Sequence, residues 1–231
     1  MGGAINARLL SAAELVRQGA VFADIGTDHA YLPIFLLEQG KISHAVCADI
    51  NEGPLNSARA NAAEAGLTEK LEFVLTDGAA ALSGKGITDY AICGMGGELI
   101  AAIIERAPHL RDKSVNLILG PNSRQGILRK YLTSHGFEIK SESYSTDAGK
   151  HYVTLLATYT GKCKELDDIE AEIGAENAEY VNRSAQISYL KAKLQAFTKQ
   201  RDGKNRGGDS AEFETKMVEM ITARIGEIMN E

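Results

Sequence analysis

Apolar runs of strand length alternate with amphipathic segments through residues 21–134. The runs predict buried strands, which fall at residues 21–25, 45–50, 71–75, 90–93 and 115–119. The segments between them predict helices, which fall at residues 31–38, 55–65, 99–106 and 127–134. Repeated alternation of strand and helix is typical of a parallel sheet with helices on both faces. We therefore predict an α/β fold.

Two further apolar runs, at residues 137–144 and 152–159, have no helix between them. The turn residues Asp147-Ala148-Gly149 join the two runs and predict a hairpin. A hairpin here places one antiparallel strand at the edge of the sheet. Such a sheet suits a Rossmann-like class I methyltransferase better than a dehydrogenase, and we assign residues 1–160 to this domain.

The pattern changes after Thr160, where helical spacing begins. Apolar residues recur seven apart, at Leu166, Ile173, Tyr180, Ile187 and Leu194, with Ile169, Leu190 and Phe197 at companion positions. This spacing predicts one long amphipathic helix of coiled-coil type. Residues 202–209 have the composition of a loop, and a second helix follows with Phe213, Met217, Met220 and Ile228 on one face. We assign residues 161–231 to a helical coiled-coil extension, and a hairpin that packs on itself is its simplest interpretation.

Polar and glycine residues follow four of the predicted strands. The first strand ends in Asp24-Ile25-Gly26-Thr27-Asp28-His29, and the others end at Asp49, at Asp77-Gly78 and at Gly94-Met95-Gly96-Gly97. In open α/β sheets the ligand crevice lies outside the carboxyl ends of the strands. The sequence therefore predicts a binding crevice that is ringed by acids.

The acids indicate which cofactor this crevice accepts. The G-x-G-x-x-G fingerprint of dinucleotide enzymes is absent, because Asp28 stands where the second glycine belongs. Asp28 would repel a pyrophosphate, whereas S-adenosyl-L-methionine carries a sulfonium and an ammonium and no phosphate. Asp49 suits the ribose hydroxyls and Asp77 the adenine amino group, while Gly26 and Gly94 allow close approach of the backbone.

Each of these residues also has a purely structural interpretation. An aspartate at a strand end is commonly a helix N-cap or a turn residue, and Gly96-Gly97 alone fits a turn before a helix. His29 fits a surface position of a helix, and Tyr31 fits the core. Capping explains any one of these positions more easily than it explains all four strand ends together.

Composition narrows the class of protein. Hydrophobic residues make up 44% of the 231 positions, enough for one sizeable domain and an appendage. The three cysteines have no metal-ligand spacing, so we expect reduced thiols, no metal and a cytoplasmic location. Charges interrupt every apolar run, and the N-terminus lacks the pattern of a signal peptide, so we expect no membrane association.

The tail separates its charges by sign. Residues 165–179 hold seven acids and no base, and residues 183–206 hold seven Lys or Arg and one acid. Charge runs are commonly solvated helix faces, but this segregation favours a basic arm that follows RNA phosphates. The candidate RNA contacts are Arg183, Lys191, Lys193, Lys199, Arg201, Arg124 and Arg129, and Arg106, Arg111, Lys113 and Lys130 extend the same face.

Four motifs together resemble the bacterial tRNA adenine-N1-methyltransferases that modify position 22 of tRNA. They are Asp24-Ile25-Gly26-Thr27-Asp28-His29-Ala30-Tyr31-Leu32-Pro33, Glu52-Gly53-Pro54, Gly94-Met95-Gly96-Gly97 and Pro121-Asn122. The resemblance covers most of residues 5–160 and extends in kind to the helical tail. It implies a Rossmann-like methyltransferase domain with a C-terminal coiled coil that helps to hold tRNA.

The same resemblance implies a set of site residues. Those expected to line the cofactor site are Asp24, Gly26, Asp28, His29, Asp49, Asp77 and Gly94, to which we add Gly78, Met95 and Gly96 of the same turns. One position departs from the family, because Gly120 stands where a glutamine is expected before Pro121-Asn122. Any substrate contact that the family makes from that glutamine is therefore in doubt here.

The chemistry at adenine N1 assigns the catalytic candidates. This nitrogen has a free lone pair, so methyl transfer requires alignment and negative potential rather than prior removal of a proton. We place Asp28 and His29 near the methyl group and expect Asn122 to hydrogen-bond the flipped base, with Tyr31 or Met95 packed against it. The expected partner is tRNA, and we expect a monomer.

Three other functions stay open from the sequence. A nicotinamide-dependent oxidoreductase is disfavoured by the missing glycines and the clustered acids. A methyltransferase acting on another RNA or on a small molecule fits the crevice equally well, but a small substrate leaves the basic run without a role. A non-catalytic RNA-binding protein with a relict cofactor fold is the remaining alternative.

Overall fold

A computed structural model describes residues 5–174 and 179–230 of the chain. Its strands form one sheet in the order β3-β2-β1-β4-β5-β7-β6-β8. They are β1 (Phe22–Ile25), β2 (Ala45–Asp49), β3 (Leu71–Leu75), β4 (Asp89–Cys93), β5 (Asn116–Gly120), β6 (Phe137–Asp147), β7 (Lys150–Tyr159) and β8 (Glu179–Val181). The first five strands pair in parallel, which confirms the predicted α/β fold with its Rossmann-like sheet.

The described helices follow the predicted segments closely in the sheet domain. They are α1 (Ala7–Leu15), α2 (Tyr31–Glu38), α3 (Glu52–Glu64), α4 (Gly97–Glu105), α5 (Gln125–Ser134), α6 (Asp168–Ile173), α7 (Arg183–Gly207) and α8 (Glu212–Asn230). The apolar pattern did not predict α1. This helix begins at Asn6, whose side chain accepts a hydrogen bond from the Leu9 amide at 2.9 Å, and it packs against β5, β6 and β7.

The predicted hairpin is confirmed, but its antiparallel strand does not lie at the edge of the sheet. Ala148 and Gly149 both have positive φ, as a tight two-residue turn between twisted strands requires. The returning strand β7 inserts between β5 and β6 and runs antiparallel to both. The side chains of Val153, Leu155 and Ala157 in β7 are fully buried. A strand inside the sheet has a neighbour on each side, and these neighbours shield its side chains better than an edge position would.

The single long helix predicted from residue 166 onward is wrong. The chain instead forms the short helix α6, which a capping box begins with Asp167 and Glu170, then the strand β8, then α7. Strand β8 pairs in parallel with β6, which otherwise presents unpaired backbone groups at the edge of the sheet. Tyr180, one of the heptad positions, therefore lies on a strand, and Leu166 precedes α6. The other apolar positions of the pattern lie on two separate helices, α6 and α7.

The loop predicted at residues 202–209 is also wrong in most of its length. Helix α7 continues to Gly207 and ends at Gly208, which has a left-handed φ of 79°. Lys204 and Arg206 lie in the last turn, where cations interact favourably with the helix dipole. Lys204 also pairs with Glu214 of α8 at 2.8 Å, which ties the last turn of one helix to the first turn of the next. The second tail helix, α8, is confirmed.

The tail shares its core with the sheet. Tyr189 and Leu190 of α7 are buried in the same apolar cluster as Tyr144 and Val153, and the cluster continues to Ile221 of α8. A fragment ending near residue 160 would uncover this side of the sheet. The segments 1–160 and 161–231 therefore pack together, and their division into two domains stays a prediction.

Arg129, predicted to contact RNA, is instead part of the core. Its side chain and that of Glu142 are both 0% exposed and form a bidentate pair, with Nε–Oε1 at 2.7 Å and Nη2–Oε2 at 3.0 Å. Nη1 donates to the Ala171 carbonyl at 2.8 Å, and the Tyr144 hydroxyl donates to Glu142. This network ties α5 to β6 and to α6, because a buried guanidinium needs all of these partners. Sequence alone could not distinguish this arginine from its solvated neighbours.

We expect Arg129→Met to lower the free energy of unfolding by about 3–5 kcal/mol, because it leaves the buried Glu142 carboxylate without its counter-charge. Urea denaturation followed by circular dichroism measures the loss.

The matched control is Lys130→Met, one residue along the same helix. Lys130 is partly exposed and pairs with Asp168 at the surface, so its replacement is expected to cost no more than about 1 kcal/mol. Equal losses in the two variants would contradict a structural role specific to Arg129.

Candidate cofactor and substrate site

The turn from β1 into α2 forms the centre of the site. Gly26 has a φ of 77°, which glycine adopts without strain. The amides of Gly26 and Thr27 both donate to the Ala48 carbonyl of β2, at 2.8 and 3.0 Å. These bonds fix the turn against the neighbouring strand, and they hold the following residues at the carboxyl edge of the sheet.

Gly26 also lies against the turn after β4. A β-carbon at position 26 would lie 2.1 Å from Met95 Cε, so a larger residue would displace Met95. In the β4 turn Gly94 has a φ of 87°, and its amide donates to the Gly120 carbonyl at 2.9 Å. The two glycine turns therefore pack together in the interval between β1 and β4, where the Met95 side chain lies against Gly26.

Close contacts with the next turn also explain why glycines occupy the β4 turn. Gly96 caps α4 and forms a bridge to Ser123. A β-carbon on Gly97 would lie 2.3 Å from the Arg124 carbonyl oxygen, and one on Gly120 would lie 2.9 Å from Cys93 Sγ. The turns after β4 and β5 are thus in contact, and Gly120 leaves no side chain where a glutamine was expected.

Asn122 lies at this junction of the two turns. Its side-chain amide donates to the Gly94 carbonyl at 2.7 Å, and its backbone amide donates to the Met95 carbonyl at 2.8 Å. The residue is exposed. Its amide hydrogens orient the side chain, and its Oδ1 atom is the acceptor it can offer to a substrate.

Asp28, His29 and Tyr31 form the open wall of the site. Asp28 is 76% exposed, and its carboxylate lies 3.4 Å from His29 Nε2. The His29 ring stacks on Tyr31 with 5.0 Å between centroids, and the His29 carbonyl accepts from Asn61 at 2.9 Å. Tyr31 is exposed rather than part of the core. The stacked pair therefore presents a half-exposed aromatic surface beside an acid.

The two remaining strand-end acids differ in their partners. Asp49 at the end of β2 accepts the Asn51 amide at 2.8 Å. Asp77, after β3, holds Arg106 of the end of α4 with both oxygens, at 2.6 and 3.2 Å. Gly78 follows with a φ of 76°. Arg106 thus partly neutralises the charge of Asp77, whereas the partner of Asp49 is an uncharged backbone amide.

Asp24 is the one buried acid of the set, with 9% of its surface exposed. Burial raises the pKa of Asp24 to about 6; the Thr27 side chain and, to a smaller extent, the nearby Arg8 guanidinium oppose the rise, and the negative charge of Asp49 adds to it. The carboxylate is therefore held at the carboxyl end of β1 in a partly desolvated state. A positively charged group of a ligand would therefore interact favourably with this carboxylate.

Arg8 is the residue of this region that the sequence did not indicate. It comes from α1, which the apolar pattern missed, and it reaches the β4 turn, where its Nη1 atom lies 3.3 Å from the β-carbon position of Gly94. Its guanidinium lies over the Tyr152 ring of β7 at 5.9 Å. No strand end or glycine turn marks this arginine, so only the packing of α1 could reveal it.

The candidate RNA-contacting cations differ in their exposure and in their partners. Lys191 and Lys199 are exposed on α7, and Arg124 is exposed at the start of α5. Arg183 lies in the first turn of α7. Lys193 pairs with Glu172, and Arg201 pairs with Asp202 at 2.9 Å.

The expected extension of this basic face onto the sheet domain is weaker than predicted. Arg106, Arg111 and Lys130 each pair with an acid of the sheet domain or of α6. Lys113 precedes β5 and therefore lies at the amino edge of the sheet, opposite the site. The basic surface is thus concentrated on α7.

Over residues 5–174 and 179–230, no helix has the length and apolar character needed to cross a membrane. Within those same ranges, His, Cys, Asp and Glu side chains form no cluster of three that could hold a metal ion.

The site fits the expected cofactor. Glycines with left-handed φ form the turns after β1 and β4, and exposed or half-buried acids follow β2 and β3. The buried Asp24 carboxylate suits an ammonium, and the exposed Asp28 carboxylate after the β1 turn would repel a pyrophosphate. The acids therefore favour S-adenosyl-L-methionine over a nicotinamide dinucleotide.

Comparison with known proteins supports this interpretation. The family model described as "Methyltransferase domain" matches residues 5–155. The tRNA (adenine(22)-N(1))-methyltransferase of Bacillus subtilis is 32% identical over 81% of this chain and 79% of its own length. Two solved structures are similar over nearly all of both chains. Streptococcus pneumoniae Sp1610 in complex with S-adenosyl-L-methionine has 32% identity and a TM-score of 0.82, covering 96% of this chain and 100% of its own. M. capricolum TrmK in complex with S-adenosyl-homocysteine has 30% identity and a TM-score of 0.72, covering 98% and 96%.

The buried state of Asp24 predicts a stability cost that depends on pH. Because the pKa of Asp24 is raised from 3.8 to about 6 by folding, the ligand-free protein loses stability as pH rises through that interval. We expect Asp24→Asn to raise the free energy of unfolding at pH 7.5 by roughly 1–3 kcal/mol. The gain should shrink towards zero near about pH 3, which lies below both pKa values, so that the wild-type carboxyl is also largely neutral in both states.

Urea denaturation of the ligand-free protein at the two pH values measures this difference. Asp28→Asn is the matched control, because Asp28 is largely exposed and its replacement should leave stability nearly unchanged. An Asp24→Asn protein that is less stable than wild type at pH 7.5 would refute the assignment of a desolvated carboxylate.

Proposed function

This chain belongs to the bacterial tRNA (adenine-N1)-methyltransferase family, and on that premise we propose that it transfers a methyl group from S-adenosyl-L-methionine to N1 of adenine 22 in tRNA. The observation that carries the proposal is the set of strand-end acids around paired glycine turns, in a chain of which a solved relative covers 98%. The product of this reaction is a cationic adenine, which suits an acidic crevice.

The cofactor-binding residues are assigned by their places in the turns. Asp24 faces the ammonium of the methionine part, Asp49 accepts from the ribose hydroxyls, and Asp77 accepts from the adenine amino group. The turns at Gly26-Thr27-Asp28-His29, Gly78 and Gly94-Met95-Gly96 supply backbone close to the ligand. When bound, S-adenosyl-L-methionine supplies an electrophilic methyl group on its sulfonium.

The substrate base is proposed to enter between the open wall and the β4–β5 junction. Asn122 offers Oδ1 to the exocyclic amino group, since its side-chain Nδ2 donates to the Gly94 carbonyl. The stacked pair of His29 and Tyr31 offers a surface for the flipped ring, and Met95 lies at the opposite turn. These contacts would align N1 for in-line attack, which is the larger part of the catalysis required.

The acids of the open wall act on charge rather than as obligatory bases. Adenine N1 attacks through a lone pair that carries no proton, so no residue has to remove one first. Positive charge develops on the ring as the methyl group is transferred, and a carboxylate at Asp28 stabilises it through space. His29, which lies 3.4 Å from Asp28, positions that carboxylate.

The exposed lysines of α7 are proposed to hold the tRNA backbone. Lys191 and Lys199 are eight residues apart, which on an α-helix is about 12 Å along the axis and more than two turns. Two such cations can follow successive phosphates of one strand. We further propose that the protein acts in the cytoplasm and as a monomer, and light scattering on the purified protein tests the oligomeric state.

The direct test of this function is a methylation assay on tRNA. We expect purified protein with labelled cofactor and bulk bacterial tRNA to yield 1-methyladenosine as the labelled nucleoside. A tRNA transcript with guanine in place of adenine 22 is expected to accept no label. Label in a different nucleoside, or equal labelling of the substituted transcript, would rule out the proposed target.

The role of the α7 lysines is tested by charge reversal. We expect the double variant Lys191→Glu/Lys199→Glu to lose at least tenfold in tRNA affinity at low salt, because two phosphate contacts become repulsions. Its affinity for S-adenosyl-homocysteine should stay at the wild-type level. Filter binding across a salt series and calorimetry measure the two properties.

The matched control is Lys70→Glu/Lys113→Glu. Both lysines are exposed and precede β3 and β5 at the amino edge of the sheet, so the change in net charge is identical and its location is opposite. If both double variants lose tRNA affinity equally, the effect is one of net charge, and α7 has no special role.

A further inference from the structure

A cleft of about 470 Å³ lies beside the sheet, between α1, the end of β6 and the start of α7. Its lining is rich in hydroxyl groups, which come from Ser11, Ser143, Ser145, Thr146, Ser184 and Ser188. We call it the hydroxyl cleft. Its lining residues include neither the strand-end acids nor the glycine turns of the candidate site, so the proposed function leaves it without a role.

The hydroxyl cleft lies at the same edge of the sheet as the candidate site. Strand β7 runs antiparallel to both β5 and β6, so β6 runs parallel to β5. Leu119 pairs with Leu155 of β7, and Ser143 pairs with Thr154, which places Ser145 beyond the carboxyl end of β5. Three strand spacings, about 14 Å in all, separate β6 from β4. A short run of RNA nucleotides spans that length.

The hydroxyl of Ser145 has no partner in the fold. Ser145 is 5% exposed, and its Oγ atom is buried without a hydrogen-bond partner in the part of the chain that the structure describes. A buried hydroxyl without a partner costs free energy. The hydroxyls of Ser184 and Ser188 donate instead to Asn182 Oδ1 and to the Ser184 carbonyl, at 3.0 Å each. Ser145 therefore supplies a buried donor that a ligand can use.

The N-terminus of α7 forms another wall of the hydroxyl cleft. This helix has 25 residues, and the aligned peptide dipoles of a helix give its N-terminus a partial positive charge. Asn182 caps this end by accepting from the Ala185 amide at 3.3 Å. The first amides of a helix have no partner within it, and Ser184 of this first turn is exposed in the cleft. Phosphate groups bind favourably at such helix ends.

We propose that the hydroxyl cleft binds a backbone phosphate of the tRNA, a few nucleotides from the methylated adenine, with the Ser145 hydroxyl and the N-terminus of α7 as donors. The proposal rests on the proposed function and adds to it a contact beside the sheet.

The face of α7 that lines the cleft continues into the exposed lysines. Ser184, Ser188 and Lys191 follow the spacing i, i+4 and i+7, which places them on one face of the helix. Lys191 lies about 10 Å along the axis from Ser184. An RNA strand held at the cleft can therefore continue along α7 to Lys191.

The acid of the lining favours an RNA chain over a free phosphate ion. Glu14 of α1 lines the cleft and is exposed. Its charge opposes the capture of an isolated anion, whereas its carboxylate can accept a hydrogen bond from a ribose 2′-hydroxyl. Leu10, which is 40% exposed on the same helix, offers apolar surface to a ribose or a base. The cleft therefore suits a nucleotide of RNA.

The first test removes the Ser145 hydroxyl. We expect Ser145→Ala to weaken the binding of bulk bacterial tRNA about 5- to 30-fold in filter binding, because a hydrogen bond to a charged group is lost. Its affinity for S-adenosyl-homocysteine should stay at the wild-type level in calorimetry. Its thermal midpoint without ligand should not fall, since the hydroxyl has no partner to lose.

Ser141→Ala is the matched control for this variant. Ser141 lies on the same strand, is also 5% exposed and also has a buried Oγ without a partner among the described residues. It does not line the cleft. We expect Ser141→Ala to bind tRNA as tightly as wild type does.

The second test places a negative charge in the cleft. We expect Ser184→Asp to lower tRNA affinity roughly tenfold or more, because the new carboxylate faces the phosphate. An acid in the first turn of a helix interacts favourably with the dipole, so the variant should fold normally. Ser43→Asp is its matched control, because Ser43 is exposed and precedes β2 at the amino edge of the sheet. The change in net charge is identical, and tRNA affinity should match wild type.

The outcomes separate this proposal from the one on which it rests. A wild-type protein that neither binds nor methylates tRNA overturns the proposed function and the cleft assignment with it. A wild-type protein that methylates tRNA, with Ser145→Ala and Ser184→Asp binding tRNA equally tightly, overturns only the cleft assignment. If in that case inorganic phosphate raises the thermal midpoint of wild type more than chloride does at equal ionic strength, and Ser184→Asp loses this effect, the cleft binds a free anion. Weaker binding of S-adenosyl-homocysteine by Ser145→Ala would assign the cleft to the cofactor and also contradict the proposal.

Discussion

The parallel pairing of β1 with β2 on one side and β4 on the other is the constraint on which the site depends. It brings the carboxyl ends of these strands to one edge, and the two amides of Gly26 and Thr27 that bond to Ala48 extend that alignment into the turn. The glycines then let neighbouring turns touch, as Gly26 does with Met95. The parallel hydrogen bonding between these strands therefore brings residues that are far apart in the chain to the same edge of the sheet.

Buried charge lies in two different settings in this molecule. Arg129 and Glu142 satisfy each other within the core, and their neighbours Ala171 and Tyr144 complete the network. Asp24 is buried at the carboxyl end of β1, where the Thr27 side chain and the half-buried Arg8 guanidinium oppose the rise in its pKa. Removing one partner of the first pair would leave an uncompensated charge in the core, whereas the second group of charges lies at the edge of the sheet, beside the candidate site.

The tail shows where local patterns were insufficient. Heptad spacing predicted one coiled-coil helix from residue 166, but the free edge of β6 recruited residues 179–181 as a strand, and hydrogen bonds to a sheet edge outweigh apolar spacing. The composition of residues 202–209 predicted a loop, yet the helix continues to Gly207, and Lys204 in its last turn pairs with Glu214 of α8. The positive run survives as a surface only at those lysines that tertiary contacts leave unpaired.

The sequence by itself determined the alternation of strands and helices, the acids at the strand ends and the absence of a dinucleotide fingerprint, because these depend on local periodicity and on turn chemistry. Only the tertiary structure decided that β7 lies inside the sheet, that Arg129 is buried and that Arg8 reaches Gly94. Each of these depends on which surfaces meet across distant segments, and one arginine resembles another until its neighbours are known. The acids and glycines at the strand ends could therefore be predicted from their own turns, whereas Arg8 reaches the β4 turn from a helix that no pattern marked.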